Sequence, residues 1–241
     1  MYAVVSDIHG NLPALEAVNE DMKQFNIDGI FCLGDLIDYG MQSNETVEFV
    51  KNNWEGKMVC NLWGNHENAI MTSDYNHFSS ERGVKSAQYT ASILSGNSRE
   101  YIHQRMIWEG MVEMMEENNA ILAVHASLEN VFWKAIGPEN VRGDYRNYDI
   151  VLSGHSHYSH VFSKFYEAED PERRNKHAVL FVNPGSVGQP RNHNPHAQYA
   201  LLDLETKAVI LRAVPYEIEK AMSLYDGSVD EFYKNRLKYG V

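Results

Sequence analysis

Five short apolar runs in this chain each stop abruptly at a carboxylate, an amide or an imidazole, and this recurrence restricts the fold more than any other feature. Tyr2–Ser6 precedes Asp7-Ile8-His9, Gly29–Leu33 precedes Gly34-Asp35, and Lys57–Trp63 precedes Gly64-Asn65-His66. Ala120–Val124 precedes His125, and Asp149–Ser153 precedes Gly154-His155-Ser156-His157. Apolar and β-branched runs of this length predict strands. Asn11-Leu12-Pro13 opens a helix, proline being tolerated in a first turn. Leu15, Val18, Met22 and Phe25 follow on one helical face. A second helix is expected around Glu45–Asn52. Strand–helix alternation of this kind implies an α/β fold with right-handed crossovers and a parallel sheet. Ligands of such sheets gather at the carboxyl ends of the strands.

The remainder is less regular. Asn68–Asn119 reads as helical and polar without clear boundaries, with Met106, Met111, Met114 and Met115 as adaptable core filler. Val161–Phe165 and Ala178–Val182 read as strands joined by the charged stretch EAEDPERRNK, an exposed hairpin connection. Gln198–Leu204 and Ala208–Val214 form a second expected hairpin, turning at Glu205-Thr206-Lys207. Tyr216 onward reads as helical to the end, and its Phe232, Tyr233, Leu237 and Tyr239 either dock internally or form a dimer contact. No repeat, low-complexity tract or linker interrupts the 241 residues, so one domain over 1–241 is expected.

Composition narrows the partners. Apolar residues make up 44% of the chain, enough for a sizeable core. No run of eighteen apolar residues occurs, and MYAVVSDIHG lacks the features of a signal peptide, so a cytoplasmic protein away from membranes is expected. The formal charge of −12 disfavours a long nucleic acid. It does not disfavour a small phosphate ester, because bound cations dominate the local field of a metal site. Cys32 and Cys60 sit in apolar runs without zinc-thiolate spacing and read as buried small hydrophobes.

Carboxylate, imidazole and amide oxygen together suit Mn²⁺, Fe²⁺ or Zn²⁺ better than Ca²⁺ or Mg²⁺. About seven such ligands suffice for two ions ~3.5–4 Å apart. Gly34, Gly64 and Gly154 each precede a candidate ligand, where glycine permits close approach and unusual dihedrals. Singly, each piece has an ordinary reading: Asp7 as a helix cap, His125 as a core histidine. If His155-Ser156-His157 is extended, its alternating side chains aim both rings the same way.

The order DIHG, GDLID, GNHE, a lone histidine after an apolar strand, and GHSH resembles the calcineurin-like metallophosphoesterase superfamily. The stretch Asn183-Pro184-Gly185-Ser186-Val187-Gly188-Gln189-Pro190-Arg191 is similar to its compact prokaryotic phosphodiesterase branch. The resemblance implies a four-layer αββα sandwich, two packed mixed sheets flanked by helices. It implies a first metal on Asp7, His9 and His157, a second on Asn65, His125 and His155, and Asp35 bridging both. Mn²⁺ is the leading ion, with Fe²⁺, Zn²⁺, Ni²⁺ and Co²⁺ as alternatives. The expected reaction is in-line attack on phosphorus by a hydroxide held between the ions, with His66 as general acid. The expected substrate is a small phosphodiester or nucleotide, with a phosphomonoester or dinucleoside polyphosphate as alternatives. A non-catalytic interaction module is the contrasting reading, and the complete ligand set speaks against it.

Secondary roles follow. Asp38 and Glu67 support the site or the backbone around it, Asp38 equally as a cap. Arg191 is either a phosphate contact or a surface arginine. His77, His103, His160, His177, His193 and His196 are expected mostly at the surface. Tyr75 and Phe78 either stack on a nucleobase or close the core, and Trp133 is expected in the core.

Overall fold

The first three apolar runs pair as parallel neighbours. β1 (Tyr2–Val5), β2 (Gly29–Cys32) and β3 (Met58–Asn61) lie side by side, connected through α1 (Leu12–Met22) and α2 (Ser43–Asn53). α1 starts where the Asn11 side chain accepts a hydrogen bond from the Ala14 amide at 3.2 Å, with Pro13 in the first turn. It ends at Met22, so Phe25 reaches the core from beyond the helix. β9 (Ala197–Leu202) and β10 (Val209–Val214) form the expected hairpin and extend the sheet antiparallel on the other side of β1, giving the order β10-β9-β1-β2-β3. The computed structural model describes residues 1–167 and 176–241; most of the charged hairpin connection lies outside the described residues.

A second sheet has the order β4-β5-β6-β8-β7. β5 (Asn119–Val124), β6 (Ile150–Ser153) and β8 (Lys176–Asn183) run parallel, and β4 (Met111–Glu116) and β7 (His160–Glu167) flank them antiparallel. β4 corrects the helical reading of 68–119, which is right only for α3 (Asn65–Thr72), α4 (Glu81–Ile93) and α5 (Gly96–Arg105). Methionine and glutamate favour helices, yet Met111–Glu116 pairs with β5 along its whole length. The connecting turn holds Glu117 and Asn118 at φ 44° and 63°, a backbone twist that matches paired strands. Met106 is buried as expected, but Met115 on β4 is 68% exposed and fills no core.

Strand alternation sorts the core into layers. Val4, Phe31, Leu33 and Ala200 of the first sheet meet Ile121, Ala123, Leu152 and Val182 of the second. Burying a side chain such as Phe31 contributes about 1.5–3 kcal/mol. The opposite-facing Ala3, Val5, Ile30 and Leu201 pack under Leu15, Val18, Val47 and Val50 of the helices. Outside the second sheet, Leu122, Val151 and Phe181 are covered by Ile136 and Tyr145 from the segment 126–149, which has no helix among the described residues. Two packed mixed sheets thus form the α/β sandwich expected, with helices over the first sheet and the 126–149 segment over the second. Cys32 and Cys60 are buried and unpaired, and burial pushes both thiols up.

The C-terminal stretch forms two short helices, α6 (Ile218–Ser223) and α7 (Glu231–Tyr239), instead of one. Gly227, at φ 93°, sits in the break, and the Asp230 carboxylate caps α7 by accepting from the Phe232 amide at 2.8 Å. Tyr233 and Leu237 are buried against Tyr39, Tyr225 and Val229, whereas Phe232 and Tyr239 stay exposed. This docking brings α7 to the same edge of the sandwich at which β1, β2 and β3 end.

Candidate metal centre

The strand exits of both sheets converge at one seam. Ligand atoms of Asp7, His9, Asp35 and His157 lie within 4.8 Å of one another, and so do those of Asp35, His125 and His155. Asp35 belongs to both groups. Asn65 joins the second, its Oδ1 lying 3.0 Å from His125 Nε2 and 2.9 Å from His155 Nδ1. Each group therefore takes residues from both sheets.

Unusual backbone aims these side chains. Asp7, His9, Asp35, His155 and His157 have φ of 54°, 49°, 54°, 63° and 60°. Left-handed geometry costs a non-glycine residue about 1–2 kcal/mol. Cross-strand hydrogen bonds hold it, among them Asp7 N to Gly34 O at 3.0 Å and His9 N to Asp35 O at 2.9 Å. The extended reading of 155–157 is thus corrected: two left-handed residues send His155 to one group and His157 to the other. Of the three glycines, only Gly34 has a positive φ, 98°. Gly64 and Gly154 are required for space, because an added Cβ would lie 2.1 Å from Asp35 Oδ1 and 2.0 Å from Ser6 Oγ. Asp7 does not cap α1; Asn11 does.

Glu67 and Asp38 brace the seam. The buried Glu67 carboxylate accepts from the amides of Asp35, Leu36, Ile37 and Gly64 at 2.8–3.1 Å, tying the exit of β2 to that of β3. Asp38 Oδ2 accepts from His66 Nδ1 at 2.6 Å, while its Oδ1 accepts from Ser86 and Thr90 hydroxyls. Capping is not its role.

The donor set fits cations for a reason visible in its protons. His9 Nδ1 faces the Ile37 carbonyl at 3.2 Å, and His157 Nδ1 faces the Gln189 carbonyl at 2.6 Å. Carbonyls only accept, so both protons sit on Nδ1. The two bare Nε2 atoms then confront each other at 3.2 Å, with His157 Nε2 also 3.2 Å from Asp7 Oδ1. His125 repeats the pattern: Nδ1 donates to Leu33 O at 2.7 Å, leaving Nε2 against Asn65 Oδ1. Asp7 Oδ1 is buried with no hydrogen-bond donor. Acceptors gathered face to face are satisfied by metal ions. Burial, with Arg191 nearby, pushes His157 down to about 4. Burial and neighbouring imidazoles likewise depress His9 and His155, which keeps them in the neutral ligand form. Burial, with the charges of Glu67 and Asp7, raises Asp35.

His66 is set apart. Its ring is edge-on to Tyr39 at 4.4 Å and to Phe78 at 5.1 Å, and its Nε2 lies 4.0 Å from Asp35 Oδ2. Burial opposes its charge, but Asp35 and the hydrogen-bonded Asp38 outweigh burial and raise its pKa.

A cleft of about 530 Å³ opens above the seam, with Asp35, Asn65, His66, His155 and His157 in its floor. Arg191 lines it, and its buried Nε has no acceptor. Trp133 also lines it, edge-on to Phe78 at 5.4 Å, which corrects the core assignment. Phe78 both lines the cleft and packs on the core, while Tyr75 packs only on the core. His77, exposed, lies 5.6 Å from Trp133 in the same lining. His103 and His193 are exposed as expected, but His160, His177 and His196 are half-buried. Tyr39, Arg82, Tyr233 and Arg236 also line the cleft and were not anticipated. Tyr39 directly follows Asp38 in sequence, a usable signal; the other three depend on how α4 and α7 fold back. Among the described residues, no helix is long and apolar enough to cross a membrane.

Comparison with known proteins agrees with this geometry. An uncharacterized protein of Methanocaldococcus jannaschii, MJ0912, is 29% identical, the match covering 98% of this chain and 93% of that one. The phosphodiesterase YfcE of Escherichia coli is 23% identical over 85% of this chain and 88% of its own. The crystal structure of a metallophosphoesterase from Sphaerobacter thermophilus superposes with a TM-score of 0.75 at 23% identity, covering 100% of this chain and 99% of that one, and shares the fold. The profile of the calcineurin-like phosphoesterase superfamily domain matches residues 1–207, which include every strand that ends at the seam. The chain therefore belongs to the calcineurin-like phosphoesterase superfamily and is a metal-dependent phosphoric ester hydrolase.

Proposed function

We propose that the chain hydrolyses small phosphodiesters, nucleotide-type esters among them, as one domain spanning 1–241. The observation that carries this reading is His66, clamped by Asp38 at 2.6 Å with Nε2 turned toward the seam where two ligand groups share Asp35. In this reading Asp7, His9 and His157 hold one divalent cation, Asn65, His125 and His155 a second, and Asp35 contacts both. Two such ions, Mn²⁺ first among candidates, supply an ionised water at neutral pH and neutralise phosphate charge. His66 holds a proton on Nε2 for the departing alkoxide oxygen, and Asp38 keeps the ring oriented while it does so. Arg191 offers N–H donors to the phosphate oxygens. Trp133 and Phe78 present aromatic faces to a base or aryl group. The likeness to the phosphodiesterase YfcE favours diesters over monoesters.

The test is hydrolysis of bis-p-nitrophenyl phosphate by purified protein, after chelation and after Mn²⁺ is restored. Cleavage should vanish with chelator, return with Mn²⁺ and be absent in Asp35→Asn. Faster cleavage of p-nitrophenyl phosphate than of the diester would reverse the substrate preference. No cleavage of either ester would sink the reading.

A further inference from the structure

The cleft holds more positive charge than one phosphate requires. Arg82 of α4, Arg191 after β8 and Arg236 of α7 all line it. A guanidinium carries five N–H donors. Among the described residues, none of the three forms an ion pair with a carboxylate side chain. Arg191 Nε is buried without an acceptor, and Arg236 Nε donates to a main-chain oxygen of Val241, the last residue of the sequence, which leaves its other N–H groups for a ligand. Arg82 and Arg236 share one support, with their guanidinium carbons 4.3 Å and 5.1 Å from the Phe232 ring centre. Arg236 is only 9% exposed. Burial, and then the charge of Arg191, push it down to about 10. Like charges held together in a partly dry site are unfavourable unless an anion joins them. In a chain of net charge −12, such a cluster is not a by-product of general basicity.

We propose that Arg236 and Arg82, with Arg191 shared between the two phosphates, form a second anion subsite, so that the substrate carries another phosphate besides the one at the Asp35–His66 floor. The ligand class is a small organic diphosphate, with the second phosphate within reach of the first. This deepens the reading of a phosphoesterase and rests on it for which phosphate is cleaved. A cleft of about 530 Å³ is of ligand size, ample for such a molecule. Arg236 and Phe232 lie on α7, beyond the 1–207 matched by the family profile, so the subsite adds a substrate filter to the shared floor. A guanidinium can grip a phosphate through two N–H groups at once, which an ammonium cannot.

The test measures binding and turnover separately on the Mn²⁺-reconstituted protein. Isothermal titration calorimetry compares α,β-methylene-ADP, which has two phosphorus groups joined by a bridge that cannot be hydrolysed, with AMP at fixed free Mn²⁺, each ligand being checked for intact ester after the titration. The diphosphate should bind at least about tenfold more tightly. Arg236→Gln should erase most of that preference, and Arg236→Lys should restore only part of it. Arg82→Gln, an exposed change that leaves folding intact, should reduce the preference on its own. Equal binding of the two ligands, or a preference unchanged in both Gln variants, would overturn the subsite. Bis-p-nitrophenyl phosphate turnover runs alongside: turnover without the preference defeats the subsite alone. The preference without turnover defeats the hydrolase reading alone.

Discussion

Asp38 illustrates how a residue away from the reacting atoms sets what one near them can do. Its two oxygens are fully committed, one to His66 and one to the hydroxyls of Ser86 and Thr90. Its φ of 75° is one that asparagine tolerates, so Asp38→Asn removes the charge without forcing the backbone. The variant should lower kcat about 10–100-fold on esters with an alcohol leaving group, the range for a residue that orients a functional histidine. It should have far less effect on p-nitrophenyl esters, whose leaving group departs unprotonated. His66→Ala should show the same split at ~10²–10⁴-fold. An equal loss on both leaving groups, in parallel rate measurements, would remove His66 from the proton-donor role. At this scale the sequence was informative where chemistry is concentrated in residue type: Asp7, His9, Asp35, Asn65, His125, His155 and His157 were all picked out by strand exits, and all meet at the seam. Trp133 and Arg236 were not, because a tryptophan in a loop and an arginine on a helix have many uses. Only tertiary packing turns both into the cleft.

Elements show where local preference and tertiary demand part company. The parallel strands were legible because buried strands read as continuous apolar runs. β4 was not, because MVEMME carries helix-forming residues and becomes a strand only by pairing with β5. The single C-terminal helix was an overestimate for the opposite reason: a helical composition is interrupted at Gly227 by the need to turn α7 back onto Tyr39. Between elements, α1 is fastened to the β9–β10 hairpin by Asp21. Its carboxylate accepts from Arg212 Nε and Nη2 at 3.0 and 2.7 Å and from the Tyr199 hydroxyl at 2.6 Å. Burial alone would raise Asp21, but the Arg212 and Tyr199 bonds prevail and lower its pKa. A depressed carboxyl stabilises the fold above its unfolded value of about 3.9 and ceases to do so as pH falls through the folded value. Asp21→Asn should therefore reduce stability by about 1–2 kcal/mol at pH 7, discounted for the part-exposed Arg212. In urea denaturation the gap from wild type should begin to shrink as pH falls below about 3.9 and be lost once pH has passed the lower folded value. A gap that stays constant however far pH is lowered within the folded range would contradict the ionic origin.

For the whole molecule, the seam joins two sheets whose shared interior is apolar, with Val4, Phe31, Ile121 and Leu152 in it, and whose opposite end is tied by polar contacts such as Tyr2 to Glu116 at 2.8 Å. Ions bound there stabilise the folded state by mass action, about 2.7 kcal/mol for each ion at a hundredfold excess over its Kd. At this chain length 1 kcal/mol shifts Tm by about 2–4 °C. Removing Mn²⁺ with chelator should thus lower Tm by roughly 5–10 °C per ion lost, read by calorimetry. Asp35→Asn should abolish most of that difference. An unchanged Tm would mean that the sheets keep their relation without ions. Apolar contact between the sheets has no direction of its own, so the offset of one sheet against the other is shared between interior packing and the ligands at its edge. Metal preference is then written partly in the interior. Trimming Ile121 or Phe31, each four residues before a candidate ligand on its own strand, should let one sheet slide over the other. That slide would change the bite of a site whose halves ride on different sheets, and with it the ionic radius the protein selects.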